Sequence, residues 1–94
     1  MFSISRNSDG VVALTGRFDA SQVDTAREVL DGITSSCTLD FSGLAYIASA
    51  GLGVLFAAQK RLVDSGQGLT LANLNPHIRE IFHIAGFDHI FEIR

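Results

Sequence analysis

The period of the hydrophobic pattern changes along this chain, and that change constrains the fold more than any other feature. Phe2 and Ile4 alternate with Ser3 and Ser5, so residues 2–6 read as a strand with one buried face. Asn7-Ser8-Asp9-Gly10 is turn chemistry, and Val11–Thr15 reads as the antiparallel return strand, ended by Gly16. From there the spacing becomes helical. Asp19 or Ser21 can cap a helix on which Val23, Ala26, Leu30 and Ile33 recur. Cys37–Phe41 reads as a short strand and residues 42–48 as a loop. Leu52, Leu55, Phe56, Gln59, Leu62 and Val63 trace a nearly apolar stripe on a helix from Ser49 to Ser65, which Gly66 ends. Leu69–Leu74 is a buried strand candidate. Asn75-Pro76 is an N-cap followed by proline at the first helical position; Ile78, Ile81, Phe82 and Ala85 give that helix one apolar face, and Gly86 closes it. His89–Ile93 reads as a last strand.

The expected order is β-β-α-β-α-β-α-β, an α/β fold with a mixed sheet whose later strands run parallel through right-handed crossovers. A chain of 94 residues makes one domain, residues 1–94, and a hydrophobic content of 47% suffices for its core. In such sheets the functional edge lies at the carboxyl ends of the strands. On this reading Asp19, Asp40, Ser42 and Ser49 share that edge.

Composition excludes several function classes. A formal net charge of −3 is the wrong sign for nucleic acid or an anionic membrane surface. No apolar run approaches the ~18 residues that span a bilayer, so no membrane insertion is expected. MFSISRNSDG turns polar too early for a signal peptide, and the lone Cys37 fits a reducing compartment; both favour a cytoplasmic location. His77 and His83 lie six apart, on different sides of a helix, and no metal-ligand spacing occurs; neither metal nor cofactor is expected. Ile47-Ala48-Ser49-Ala50-Gly51 lacks the first glycine of a nucleophile elbow, which argues against hydrolase chemistry. Gly51-Leu52-Gly53 opens like a dinucleotide fingerprint, but Phe56 stands where the third glycine belongs.

Two readings of Ser49 remain. As an N-cap its oxygen would accept from the N–H of Gly51 or Leu52, an arrangement that contributes roughly 0.5–2 kcal/mol. As a phospho-acceptor it would gain about −1.5 to −2 charges at a helix N-terminus. The two are compatible.

The run Leu39-Asp-Phe-Ser-Gly-Leu-Ala-Tyr-Ile-Ala-Ser-Ala-Gly-Leu-Gly-Val54 resembles the signature of STAS domains, the family of sulfate-transporter and anti-sigma factor antagonist modules. Leu14-Thr-Gly-Arg-Phe-Asp19 is similar to the family's earlier Leu-x-Gly-x-Leu-Asp element, and Ile78–Phe87 to its late helix. The resemblance spans nearly the whole chain. It implies a non-enzymatic, phosphorylation-regulated partner switch. Its partner would be an anti-sigma factor/serine kinase of the histidine-kinase-like ATPase superfamily, which holds a sigma factor or other output protein, and a serine phosphatase would reset it. By position the acceptor is Ser49, and Asp19, Asp40, Ser42, Ala48, Ala50, Gly51 and Gly53 fall in the partner-binding region. The sequence departs from the family pattern at Ala48, where an aspartate is usual, and at Ala50, where Ser or Thr is common. It also stops soon after the last strand, without a terminal helix common in the family, which would expose one sheet or helix face and favour association; a monomer or weak homodimer is expected. The resemblance admits two alternatives: an accessory subunit of a transporter complex, and an anion- or nucleotide-sensing module not switched by phosphate.

Overall fold

The computed structural model describes residues 1–94. Strand β1 (Ser3–Arg6) pairs antiparallel with β2 (Val12–Phe18), and β2, β3 (Cys37–Ile47), β4 (Leu69–Ala72) and β5 (Glu92–Ile93) are parallel neighbours in that order. Helices α1 (Val23–Asp31), α2 (Ser49–Asp64) and α3 (Pro76–Ile84) make the three crossovers. Each crossover steps the same way along the sheet. Right-handed connections therefore place all three helices on one face. Burial follows: Val12, Leu14, Phe18, Leu39, Phe41, Leu69 and Leu71 point into the helical layer and are buried. The other face carries Ser3, Ser5, Thr15, Arg17, Thr38, Asp40 and Thr70, polar residues suited to water on a sheet covered on one side only.

Turn and cap chemistry is realised as the residue types dictate. The Asn7 side chain accepts from the N–H groups of Asp9 and Val11, and Gly10 supplies the left-handed residue that turns the chain back. The Gln67 amide donates to the Leu62 carbonyl and the Gly66 amide to that of Val63, with Gly66 left-handed, so α2 ends in a Schellman motif. Asn75 accepts from the Ile78 amide at the start of α3, with Pro76 in the first turn.

Three expectations are corrected. Gly16 does not end β2, which runs on to Phe18. Its left-handed backbone sits at a register shift, and a β-carbon there would collide with the Met1 carbonyl. Residues 42–47 are strand rather than loop. In register, the seven residues from Val12 to Phe18 face the nine from Leu39 to Ile47, so β3 carries two extra residues as bulges. Its buried positions consequently fall at Leu39, Phe41, Leu44 and Ile47, an interrupted alternation that reads locally as a loop. The last strand shrinks to Glu92–Ile93 because Phe87–His89 forms a 3-10 turn. That turn brings Phe87 and Phe91 together (5.8 Å between centroids) and both against Phe82.

The stripe on α2 also lies differently. Its buried positions are Gly51, Val54, Leu55, Ala58, Gln59 and Leu62, while Phe56 and Val63 are exposed, Phe56 resting on Phe87 (5.8 Å). Buried Gln59 accepts from the Leu69 amide (2.7 Å) and donates to the Ile90 carbonyl (2.9 Å), so it ties the start of β4 to the turn before β5.

A surface latch joins the end of α3 to that turn: His83 Nδ1 lies 2.7 Å from Asp88 Oδ2, with His89 at 3.7 Å from the other oxygen. The hydrogen bond to Asp88 and then its charge raise the His83 pKa, with Glu80 adding slightly; the hydrogen bond from His83 lowers that of Asp88. A raised imidazole stabilises the fold fully below its unfolded value of about 6.5 and loses that contribution as pH rises through the folded value. A lowered carboxyl contributes above its unfolded value of about 4 and loses it as pH falls through the folded value. The latch is thus strongest between about pH 4 and 6.5. Urea midpoints at pH 5.5 and 8.5 should show wild type losing more stability on the alkaline side than His83→Gln; identical differences in the two proteins would refute the latch.

Candidate functional site: the β2–β3 tip and the start of α2

Phe18 and Ile47 are the last register pair of β2 and β3, and the Phe18 carbonyl accepts from the Ala48 amide at 2.9 Å. The chain then turns directly into α2. Ala48, extended at φ −90°, ψ 166°, holds the N-cap position and offers no side-chain acceptor. Ser49 is therefore the first helical residue and not the cap, which corrects the capping expectation. The turn closes through the backbone, the Leu52 amide donating to the Ala48 carbonyl at 3.1 Å. The Ser49 and Ala50 side chains are exposed, and no acidic residue stands in the first turn of α2. The early N–H groups and the positive end of the helix dipole thus lie beside an accessible hydroxyl.

The two glycines have different reasons. A β-carbon on Gly51 would come within 3.0 Å of Ile47 and 3.1 Å of the Phe18 ring, both in the core, whereas one on Gly53 would meet nothing within 4 Å. Gly53 lies on the same face of α2 as Ser49, four residues on. Gly53→Ala should gain about 1 kcal/mol from helix propensity. Gly51→Ala gains the same propensity but crowds the core, where overpacking costs about 1–3 kcal/mol, so its net effect is zero or destabilising. Thermal melts of both variants check this; a Gly51→Ala protein as stabilised as Gly53→Ala would mean that Phe18 and Ile47 yield freely.

Asp19 sits one residue beyond the end of β2. It caps the 3-10 turn Ala20–Gln22, accepting from the Ser21 amide (3.0 Å) and hydroxyl (2.5 Å). The Ser21 hydroxyl chiefly, with its amide and the charge of Arg17, holds the carboxyl below its usual range. Asp40 and Ser42 do not join this group. Asp40 pairs with Ala13 and Ala72, seven residues before the end of β3, which places it about 20 Å down the strand. It accepts from the Asn73 side chain and the Ser42 amide, each at 3.0 Å, and these bonds, the Asn73 one foremost, lower its pKa. Asp40 straps the first bulge of β3 to the end of β4. The expected single edge fails because β3 outruns β4.

Sequence reasoning missed Arg17 and Tyr46. They are register partners one step before the tip, and the Arg17 guanidinium lies 4.2 Å from the Tyr46 ring centroid. With a sequence separation of 29 residues and two bulges to count, no local signal pairs them.

The tip is not a pocket. Surface concavities of about 380 Å³ (Arg79, Glu80, His83, Asp88, Ile93) and 170 Å³ (between α1 and α2) both exclude Ser49 from their walls. No group of three or more His, Cys, Asp or Glu converges as a metal site, and no helix is long and apolar enough to cross a membrane.

A family model described as "Mlab, STAS domain" matches residues 2–93. The chain is 46% identical over 55 residues to BtrV of Bordetella bronchiseptica, which carries the name anti-sigma factor antagonist; the match covers 58% of this chain and 47% of BtrV, about half the relative's length. Its fold is similar to an anti-sigma factor antagonist from Mycobacterium paratuberculosis (TM-score 0.83, 19% identity, covering 99% and 83% of the two chains). It is also similar to the Bacillus cell fate determinant SpoIIAA in its phosphorylated form (TM-score 0.71, 19% identity, covering 100% and 91%).

Proposed function

The chain belongs to the STAS domain family, and from that premise we propose that it is a non-enzymatic partner switch of the anti-sigma factor antagonist type, released from its partner by phosphate on Ser49 and reset by its removal. One observation carries the reading: Ser49 is an exposed hydroxyl on the first turn of a sixteen-residue helix, outside the walls of both surface concavities. An exposed hydroxyl outside any pocket suits docking to another protein better than enclosure of a small molecule. The names borne by BtrV and by the similar structures support an anti-sigma factor as that protein. In the proposed cycle this partner is also a serine kinase. The Ser49 oxygen bonds to the γ-phosphorus of ATP, the bond from that phosphorus to the bridging oxygen breaks, ADP leaves, and the hydroxyl proton passes to a base on the kinase. A serine phosphatase reverses this by hydrolysis: a water oxygen bonds to the phosphorus, its bond to the Ser49 oxygen breaks, that oxygen takes up a proton and inorganic phosphate leaves. Asp19, Ala48, Ala50 and Gly53 surround the docking point. Gly51 serves it indirectly, by letting α2 pack close against Phe18. Asp40 and Ser42 support the strand that presents it.

Incubation with the cognate kinase and ATP, followed by mass-spectrometric mapping, is expected to place phosphate on Ser49 alone. Ser42 lies in the β3 bulge, and the Ser65 hydroxyl donates to the Leu62 carbonyl. Phosphate on either, with Ser49 unmodified, overturns the assignment. A tight partner complex that takes up no phosphate would favour an unswitched accessory subunit.

A further inference from the structure

We propose that the concavity between α3, the Phe87–His89 turn and β5 binds a small zwitterion of the α-amino acid type, its carboxylate held by Arg79 and its ammonium by Glu80. The concavity, about 380 Å³, is walled by Arg79, Glu80, His83, Asp88 and Ile93. That volume falls within the ~300–1,000 Å³ of small-molecule sites, whereas the 170 Å³ hollow between α1 and α2 does not. Four of its five wall residues are ionisable and only Ile93 is apolar, so a ligand that fills it is small and charged rather than greasy.

The unpaired charges identify the class. His83 and Asp88 are spent on each other at 2.7 Å, with His89 at 3.7 Å from the second Asp88 oxygen. What remains is one cation and one anion: neither Arg79 nor Glu80 takes part in an ion pair. The two cannot neutralise each other, because consecutive residues of a helix point about 100° apart. Arg79 Nη2 donates to the Arg94 carbonyl at 3.1 Å, which steadies the guanidinium and leaves its other N–H donors free. A guanidinium edge matches a carboxylate two oxygens at a time. An anion alone would face the Glu80 carboxylate, and a cation alone would face Arg79. A ligand carrying both signs on one carbon meets both, and Ile93 gives its side chain an apolar wall. No group of three or more His, Cys, Asp or Glu converges here for a metal ion. Arg79 and Glu80 are exposed and lose rotamer freedom on binding, which sets the affinity at about millimolar.

The test titrates the whole ¹⁵N-labelled chain at neutral pH with L-alanine, propionate and alaninamide, the last two each carrying half of the zwitterion. L-Alanine is expected to shift the amides of residues 79–83 and 88–93 and to bind about tenfold or more tightly than either half. Glu80→Gln should lower the L-alanine affinity to that of propionate, and Arg79→Gln to that of alaninamide. Arg79 also holds the Arg94 carbonyl, so should Arg79→Gln not fold, Glu80→Gln, which removes no ion pair, decides alone. Absence of binding up to about 20 mM L-alanine overturns the inference. So does propionate binding as tightly as L-alanine, or an L-alanine affinity unchanged in Glu80→Gln. Ser49 lies outside these walls, so the result is independent of the function proposed above.

Discussion

On the proposed function, Ser49→Asp is expected to weaken binding to the proposed anti-sigma partner by about a hundredfold or more, while Ser49→Ala binds like wild type and escapes the proposed phosphate switch. Neither change should unfold the domain. Ser49 is exposed and caps nothing, so its hydroxyl contributes little to stability, and a carboxylate in the first turn of a helix is mildly favourable. Binding differs because docking strips the side chain of water. An unpaired charge at the centre of an interface costs about 3–5 kcal/mol, and each ~1.4 kcal/mol is a factor of ten. A cation on the partner facing Ser49 would reverse the sign. Calorimetric titration of the three proteins decides between these. Equal affinities, with circular dichroism showing intact folds, would place Ser49 outside the interface.

Phe82→Ala is expected to be the most damaging single core change, lowering stability by about 3–5 kcal/mol. Phe82 is fully buried on α3, and its ring meets Phe41 of β3 at 5.9 Å, Phe87 at 5.9 Å and Phe91 at 6.2 Å, all near edge-on. Removing it empties the contact between α3, the centre of the sheet and the turn that delivers β5. Total stability of such domains is about 5–15 kcal/mol, so about a fifth or more is at stake. The melting temperature should fall by more than about 10 °C. Phe82→Leu, which refills most of the volume, should recover much of the loss. A Phe82→Ala protein within 1 kcal/mol of wild type would show that the cavity collapses and that the aromatic cluster is not the keystone of this end. The effect also separates the two ends of the molecule: Ser49 lies at the β2–β3 tip, beyond the Phe82 cluster, so a destabilised Phe82 variant that remains folded should still bind the partner.

The residues themselves determined the element order and the position of Ser49 at a helix start. Those signals are local: a two-residue or 3.6-residue hydrophobic period, Asp9-Gly10 at a turn, Asn75-Pro76 opening a helix, Gly66 and Gly86 just past two others. The three motifs shared with STAS domains, each a short contiguous run, were legible for the same reason. Tertiary structure alone decided the rest. The bulges in β3 break its alternation, so residues 42–47 pass locally for a loop; only pairing with β2 along its whole length makes them strand. That extension carries Ser49 away from Asp40 and Ser42, which the chain order places close. Gly16 resembles a strand end until the Met1 backbone is seen lying against it. Phe56 and Val63 read as core by period, yet the sheet meets α2 a third of a turn away, along Gly51, Leu55 and Leu62. Arg17 finds Tyr46 because register, a property of two strands together, sets one opposite the other.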